Sequence, residues 1–539
     1  MSGLIGTALS GLMSSQSLLN TTSNNIANVN TAGYSRQNVD LGASPGLLTG
    51  AGYMGQGVNV TTVARSYNQF ITNQLTSSTS AYAQANTLST LASGVDNIVA
   101  DQTTGLSAVF SAFANATAGV ANDPTSIPAR QAMLSAAGSV TQQFNSLSSQ
   151  FDNLRNQANN QMQTSVDNIN AYAAGVATLN SQIIAASNAT GAPNDLLDQR
   201  DALVAKIAEQ VSISTVTQPN GGISLIIGNG QSLVSGTSVA QLSVAGSATD
   251  SAHKNILMGG QDISRQVSGG ALSGALQFRN EVLDPAQQQL GLVATGFAVQ
   301  FNAAHTAGYD LSGAAGTALF SAGTPTVVTN AANVGTISAA YNPSTLGALT
   351  PSDYQFSYDG SNFSLKRLSD NTVTTMPGPP PATLTGPGFN ISVAATVAAN
   401  DSFLIRPTFD AAKKMTALMT DPTLIAAAGA AGSPGDNSNA QILAKLGNTP
   451  VLLGGKATFH NAYNQLVTNV GVLTQASKTN SSAQQALLNQ ATTTRNNLSG
   501  VNLDEEAANL IKFQQSYQAA SKVISIASSL FDTLIGAVR

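Results

Sequence analysis

The 539-residue chain has no cysteine, which excludes disulfides, thiolate nucleophiles and every cysteine-containing zinc or iron–sulfur site. Charge is nearly as scarce. Asp, Glu, Lys and Arg make up 9% of the residues, against about a quarter in ordinary soluble proteins. Solubility therefore rests on the neutral amides and hydroxyls of an Ala-, Ser-, Thr-, Asn- and Gln-rich surface, and copies of such a surface repel one another weakly. The net charge of −5 is small for this length and the basic residues are scattered, so there is no electrostatic footprint for nucleic acid or anionic lipid. The only imidazoles are His253, His305 and His460, far apart and without metal-ligand spacing. They read as isolated polar residues, and neither a metal nor a cofactor is expected.

Charge is also missing from the start of the chain, where no charged side chain precedes Arg36 and no acidic one precedes Asp40. The opening MSGLIGTALSGLMSSQSLLN lacks the basic region of a secretory signal, and its Ser, Thr and Gln interrupt any apolar span long enough for a bilayer. The expectation is no membrane insertion, and either a cytoplasmic location or export by a route that reads no cleaved signal.

Two patterns that suggest chemistry fail on context. Gly50, Gly52 and Gly55 match the G-x-G-x-x-G spacing of dinucleotide sites, but the alternating Val58, Val60 and Val63 follow where a helix is required. Asp504, Glu505 and Glu506 form the densest acidic cluster, and helix capping with dipole compensation accounts for it, so a solvated helix start is expected there. Enzyme chemistry is not expected.

Periodicity is what the sequence has in abundance. Leu503, Leu510, Tyr517, Ile524, Phe531 and Val538 recur every seventh residue, with Phe513, Ala520, Ala527 and Leu534 in the second row of a heptad helix. Asn502 is placed to accept from the Glu505 amide while the Glu505 carboxylate reaches back. A shorter row at the other end, Ile5, Leu12, Leu19 and Ile26, is accompanied by the small set Ala8, Ser15, Thr22 and Val29, which permits close approach. Neither stripe can be buried on its own helix, so the two chain ends are expected to pair. Either the pair is private to one molecule or its exposed remainder is covered by neighbouring subunits.

Inward from the ends, three-four spacing continues from Tyr67 to Val99. Beyond the breakers Pro124 and Pro128, the rows Val140, Leu147, Leu154 and Phe144, Phe151, then Met162, Ile169, Val176 and Ile183, predict one helix from 129 to 187, about 90 Å long. It should stop at Gly191 and Pro193. A second long helix is expected between 456 and 500 from Phe459, Tyr463, Leu466, Val470 and their successors. Short alternating runs such as Ile223, Leu225 and Ile227, separated by Pro219-Asn220-Gly221-Gly222 and Asn229-Gly230, predict hairpins over 211–267. A helical stretch returns over 271–304, and 309–408 is strand-like again, with Tyr354, Phe356 and Tyr358 leading into Asp359-Gly360 and a loop at Pro377–Pro381. The fold class expected is α+β multidomain: terminal coiled-coil helices (1–40 with 500–539), a long helical bundle domain (41–208 with 270–306 and 409–499), and inserted outer β domains (a small one at 209–269 and a second at 307–408). The chain travels out along helices and returns along helices, so both ends finish together.

The helix exit NNIANVNTAGYSRQ, residues 24–37, has Asn residues that bond locally, Gly33 for a positive φ and Tyr34 to pack back. It closely resembles the signature of the flagellar rod, hook and hook-associated axial proteins. GVNLDEEAANLIKFQQSYQAASKVISIASSLFDTLI at the C-terminus, with GQGVNVTTVARSYNQFITNQL (55–75), NDLLDQRDALV (194–204), RNEVLDPAQQQLG (279–291) and FNAAHTAGYDLSG (301–313), resembles the hook-associated protein 1 family of hook–filament junction proteins. The resemblance implies a structural subunit that self-assembles into a ring after the hook protein and templates the second hook–filament junction protein and flagellin. It further implies type III export without a cleaved signal peptide, an export chaperone at the C-terminal region, and an extracellular place at the hook–filament junction. Ile5, Leu12, Leu19, Ile26, Leu503, Leu510, Phe513, Tyr517, Ile524, Phe531, Leu534 and Val538 are the expected assembly-interface residues, and 1–40 and 500–539 should be mobile in the free monomer. The rival readings are a hook or distal rod protein and an adhesive surface fibre.

Overall fold

The structure is a computed structural model that describes residues 2–49, 52–101, 105–187, 193–247, 250–330 and 332–538. Gly50 and Gly191, invoked above, lie outside the described residues.

The chain opens with helix α1 (Ser2–Ala27) and leaves it through the Asn-rich exit into an antiparallel pair, β1 (Gln37–Ala43) with β4 (Val58–Arg65). Between them a small hairpin of β2 (Leu47–Thr49) and β3 (Gly52–Met54) carries the glycine-rich run, so strands replace the helix that a nucleotide site would need. Then come α2 (Gln69–Val99), α3 (Leu106–Asn122), α4 (Ile127–Ser187) and α5 (Asn194–Gln210). Asn68 starts α2 by accepting from the amides of Phe70 and Ile71. The long helix read from the heptad rows is thus α4, 61 residues without a break.

The hairpins of the next segment form two sheets. One runs in the order β5 (Ile213–Thr217), β6 (Ile223–Ile227), β7 (Gln231–Ser235), β8 (Ser238–Val239), and the other joins β9 (Leu242–Ser247), β10 (Asp250–Met258) and β11 (Gln261–Asp262). Ile223, Leu225 and Ile227 alternate inward as their spacing required, and they belong to the same apolar cluster as the helices.

Next follow α6 (Gly270–Gln277), a π-helical segment Phe278–Leu283 and α7 (Asp284–Thr306). Residues 289–299 of α7 are buried on every side. Leu290, Val293 and Phe297 face the helical core while Leu292 and Val299 face a second one. Phe297 meets Phe110, Phe113, Phe301, Phe320 and Phe459 at centroid distances of 4.5–5.4 Å, which locks α3 and α7 to the start of the later helix Phe459–Ser499.

The second core is enclosed by two sheets. After β12 (Phe320–Ser321), the larger has the order β13-β20-β15-β16-β17, built from β13 (Thr326–Thr329), β15 (Tyr354–Tyr358), β16 (Asn362–Arg367), β17 (Val373–Pro377) and β20 (Ser402–Arg406). The smaller has β14 (Ile337–Tyr341), β19 (Phe389–Val393) and β18 (Ala382–Thr385) in that order. Tyr354, Phe356 and Tyr358 alternate inward and Asp359-Gly360 turns the chain. The return path passes α8 (Ala411–Lys414), β21 (Thr416–Ala417) and α9 (Ser438–Leu446). It then reaches α10 (Phe459–Ser499), packed on α2, and α11 (Leu503–Val538), packed on α1.

Candidate assembly interface

Helices α1 and α11 are antiparallel. Asn25 lies against Glu506 and Gly11 against Ala520, equal steps along both helices. On α1 the small row makes the closest approach: Ala8, Ser15 and Thr22 are buried, whereas Ile5, Leu12, Leu19 and Ile26 are half-buried. On α11 Leu510, Phe513, Tyr517 and Ile524 are half-buried and Ala527 is buried. Leu503, Phe531 and Leu534 instead stand 51%, 48% and 54% exposed, so the structure does not bring them into the pair. The side chain of Val538 lies outside the described residues. Continuing the register, α11 from Leu530 onward runs past the first turn of α1.

A further apolar face was not legible as a heptad row. Ile511, Val523, Ile526, Leu530 and Ile535 are 40–56% exposed on α11, and Leu4, Leu9 and Met13 are 48–61% exposed on α1. Part of the signal was present in the sequence, since Val523, Ile526 and Leu530 recur at three-four spacing one residue offset from the paired rows. The helical stretch Phe459–Ala537, which joins α10 and α11, contains an 18-residue segment apolar enough by length and composition to cross a membrane, and 6% of that segment is buried. Such a face on a chain so poor in charge needs a cover.

The pair is fastened to the body by the Asn-rich exit. The Asn25 side-chain amide donates to the Gln37 carbonyl and its Oδ1 accepts from the Gln37 amide, both at 2.9 Å. The Tyr34 hydroxyl donates to the same Oδ1 at 2.8 Å. Arg36 reaches across to α11, with Nε 2.7 Å from Glu506 and Nη1 2.8 Å from Glu505. Its backbone amide donates to the Ser499 carbonyl, and Arg495 donates back to the carbonyls of Gly33 and Tyr34. On the other side the Ser35 amide donates to Asp198 of α5, and Arg65 of β4 pairs with Asp198 and Asp201 at 2.6 and 2.9 Å. Residues 24–37 are therefore tied into the body by hydrogen bonds and ion pairs.

The acidic cluster corrects the reading of a solvated helix start. Asn502 does cap α11, accepting from the amides of Asp504 and Glu505 at 2.9 and 3.4 Å. Glu505 turns to Arg36 rather than back to the cap, and Glu506 is 1% exposed. A buried carboxylate of this kind is held by its guanidinium partner and not by water. Gly42-Ala43-Ser44-Pro45-Gly46 also matches G-x-S-x-G spacing. Ser44 follows β1 and precedes β2, with its amide donating to the Gly57 carbonyl, so the strand-to-helix elbow such a nucleophile requires is not formed.

Burial, with Asp195, Asp198 and Glu506 nearby, pushes the Tyr34 hydroxyl up to about 12. A pKa raised in the folded state stabilises the fold fully below the unfolded value of about 10 and loses that stabilisation as pH rises towards 12. Phenolate absorbance of a Tyr34→Phe variant should accordingly lose one tyrosine from the late part of the titration, where Tyr341, also pushed up to about 12 by burial, remains. Loss of that amplitude near the ordinary tyrosine pKa of about 10 would show that Tyr34 is not held by this cluster.

Comparison with known proteins bears on the same elements. Residues 92–320 match the flagellar hook-associated protein FlgK helical domain, and 328–407 match the flagellar hook-associated protein 1 D2-like domain. Residues 5–34 match the flagella basal body rod protein family, and 495–537 match the flagellar basal body rod FlgEFG protein C-terminal family. Over 99% of the chain and 100% of the relative, the sequence is 34% identical to flagellar hook-associated protein 1 of Escherichia coli strain K12. The chain belongs to the flagellar hook-associated protein 1 family. The Salmonella typhimurium member is 35% identical, with the same coverage of both chains, and the Bacillus subtilis member 26% identical over 98% of this chain and 97% of its own. The solved flagellar hook junction protein FlgK of Burkholderia pseudomallei superimposes with a TM-score of 0.73 at 27% identity, covering 79% of this chain and 100% of that one. The hook-associated protein 1 family is structural, and this α+β multidomain chain is a structural component of the bacterial flagellum.

Proposed function

We propose that the chain joins hook to filament, assembling as a ring on the hook protein and templating the second hook–filament junction protein and then flagellin. The observation that carries this reading is the antiparallel α1–α11 pair, bolted to the body at one end while the outer apolar faces of both helices stay uncovered. A private helix pair would bury those faces within the molecule; a subunit of an axial tube presents them to its neighbours. The twelve heptad residues named from the sequence, joined by Ile511, Val523, Ile526 and Leu530, form that interface.

The division of labour that this reading uses keeps the four units expected from the sequence. The 209–269 strands share the apolar cluster of the helices and so buttress the body, while 307–408 carries the outer unit with its own core. Export proceeds through the flagellar type III apparatus without a cleaved signal, and an export chaperone covers the apolar C-terminal helix beforehand. A deletion strain is expected to keep intact hooks and shed flagellin into the medium. Loss of the hooks themselves would place the chain earlier in the axis and defeat the junction reading.

A further inference from the structure

Charged residues are only 9% of the chain, yet many of them converge on one seam between the helical body and the outer β unit. The outer unit is inserted through two strands that lie side by side: β13 enters and β20 leaves, with Thr326 paired to Arg406. Arg406 is the last residue of β20 and its side chain is 9% exposed. One Nη lies 2.7 Å from Asp250 at the start of β10, in the inner sheet. Nε lies 3.1 Å from Asp353, just before β15 in the outer unit. The guanidinium plane rests 3.4 Å from the ring centroid of Phe409, which also receives Arg155 of α4 at 4.8 Å.

We propose that Arg406 is a positioning residue whose guanidinium, shared between Asp250 of the inner sheet and Asp353 of the outer unit, fixes the angle at which the outer β unit stands on the helical body. Three features carry this. The insertion crosses on a single strand pair, a geometry that by itself allows hinge bending. The Asp353–Arg406 pair lies within the outer unit, whereas Asp250–Arg406 spans the crossing, so one side chain couples the two sides. A cleft of about 450 Å³ opens beside the crossing, lined from both sides by Asp250, His253 and Asp284 against Asp353, Gln355 and Arg406. Apolar packing alone would be free to slide along such a cleft, since it has no preferred direction. A planar guanidinium with fixed donors does have one.

The surrounding charges support a network built for geometry. Arg155 pairs with Asp284 at 2.9 Å, and Arg279 of the π-helical segment donates to the Lys254 carbonyl. Burial, reinforced by the Arg279 charge, pushes His253 down to about 4 so that it stays neutral, and burial drives Asp353 up to about 6 against the pull of Arg406. Replacing such a buried network by apolar residues often costs little stability, and its retention is best explained where it specifies one arrangement.

The absence of cysteine makes the test direct. Ser361→Cys, on the outer turn after β15, and Gln163→Cys, on the exposed face of α4, give two spin-label sites in the full chain. Pulsed dipolar spectroscopy is expected to return one narrow distance distribution with Arg406 intact. Arg406→Met, which keeps length and loses charge, should broaden it and add a second distance. Asp250→Leu cuts only the pair that crosses the seam and should do the same while circular dichroism and the thermal transition of the outer unit stay unchanged. If Arg406→Met unfolds the unit, Asp250→Leu decides alone. An unaltered narrow distribution in Asp250→Leu overturns the proposal, because the angle would then be set by the apolar contacts of Leu292 and Val299.

Discussion

Replacing Ile526 and Leu530 together by Asp is expected to leave the isolated subunit folded and to abolish its incorporation into the flagellum. The two side chains are 51% and 54% exposed on α11, Leu530 at the point where the helix runs past the start of α1. Exposed substitutions away from caps and cores change stability by about 0.5 kcal/mol or less. At a subunit contact the same side chains would each contribute about 1.5–3 kcal/mol through burial, and an unpaired carboxylate in their place adds a desolvation cost. Every copy around a ring carries the defect, so the losses repeat at each contact. Electron microscopy should show bare hooks, and the medium should contain unpolymerised flagellin. The purified variant should melt with the parent. Normal filaments on cells carrying the double variant would mean that this face is not used.

The second large effect is expected at Arg36. Arg36→Ala leaves the Glu506 carboxylate, 1% exposed, with the Asn25 amide at 3.3 Å as its one remaining side-chain donor among the described residues. Removing one partner of a buried ion pair costs about 3–5 kcal/mol. Because the Arg36 side chain keeps 21% of its surface in solvent, the low end of that range applies. The loss is local to the fastening, so it should be read by hydrogen exchange. Amides of the exit, 24–37, and of the first turns of α11 should lose protection, while α4 and α7 keep theirs. Glu505→Ala is the control: that partner is 57% exposed, and an exposed pair contributes at most about 1 kcal/mol. Equal losses in the two variants would show that burial of Glu506 is not what holds the fastening.

The helices and hairpins were legible because their signals are periodic and local. The rows Val140, Leu147, Phe144 and Phe151 named α4 from spacing alone, and Asn229-Gly230 named a turn from backbone preference alone. At the candidate interface the paired row was legible for the same reason. Periodicity does not say where along an apolar helix its partner ends, so Phe531 and Leu534 were grouped with Ile524 although they lie in the same rows beyond the start of α1, and Ile526 was passed over. The fastening was illegible for a different reason. Arg36 and Glu506 are 470 residues apart, and nothing local distinguishes a carboxylate that caps a helix from one that is buried by a distant loop. The convergence on Arg406 was hidden likewise, because Asp250, Asp353 and Arg406 each look ordinary in their own segment.

Pairing the first helix with the last has a kinetic consequence. Asn25 and Glu506 meet across 481 residues, so nearly the whole chain is the loop that this contact closes. Closure over such a length carries an entropic cost that grows with the logarithm of the loop, and contacts of high sequence separation form late. The body can collapse around its aromatic core while its foot is still open. A chain delivered end first would therefore complete the foot only on arrival of its final residues, and subunits would become competent to join one another only when whole.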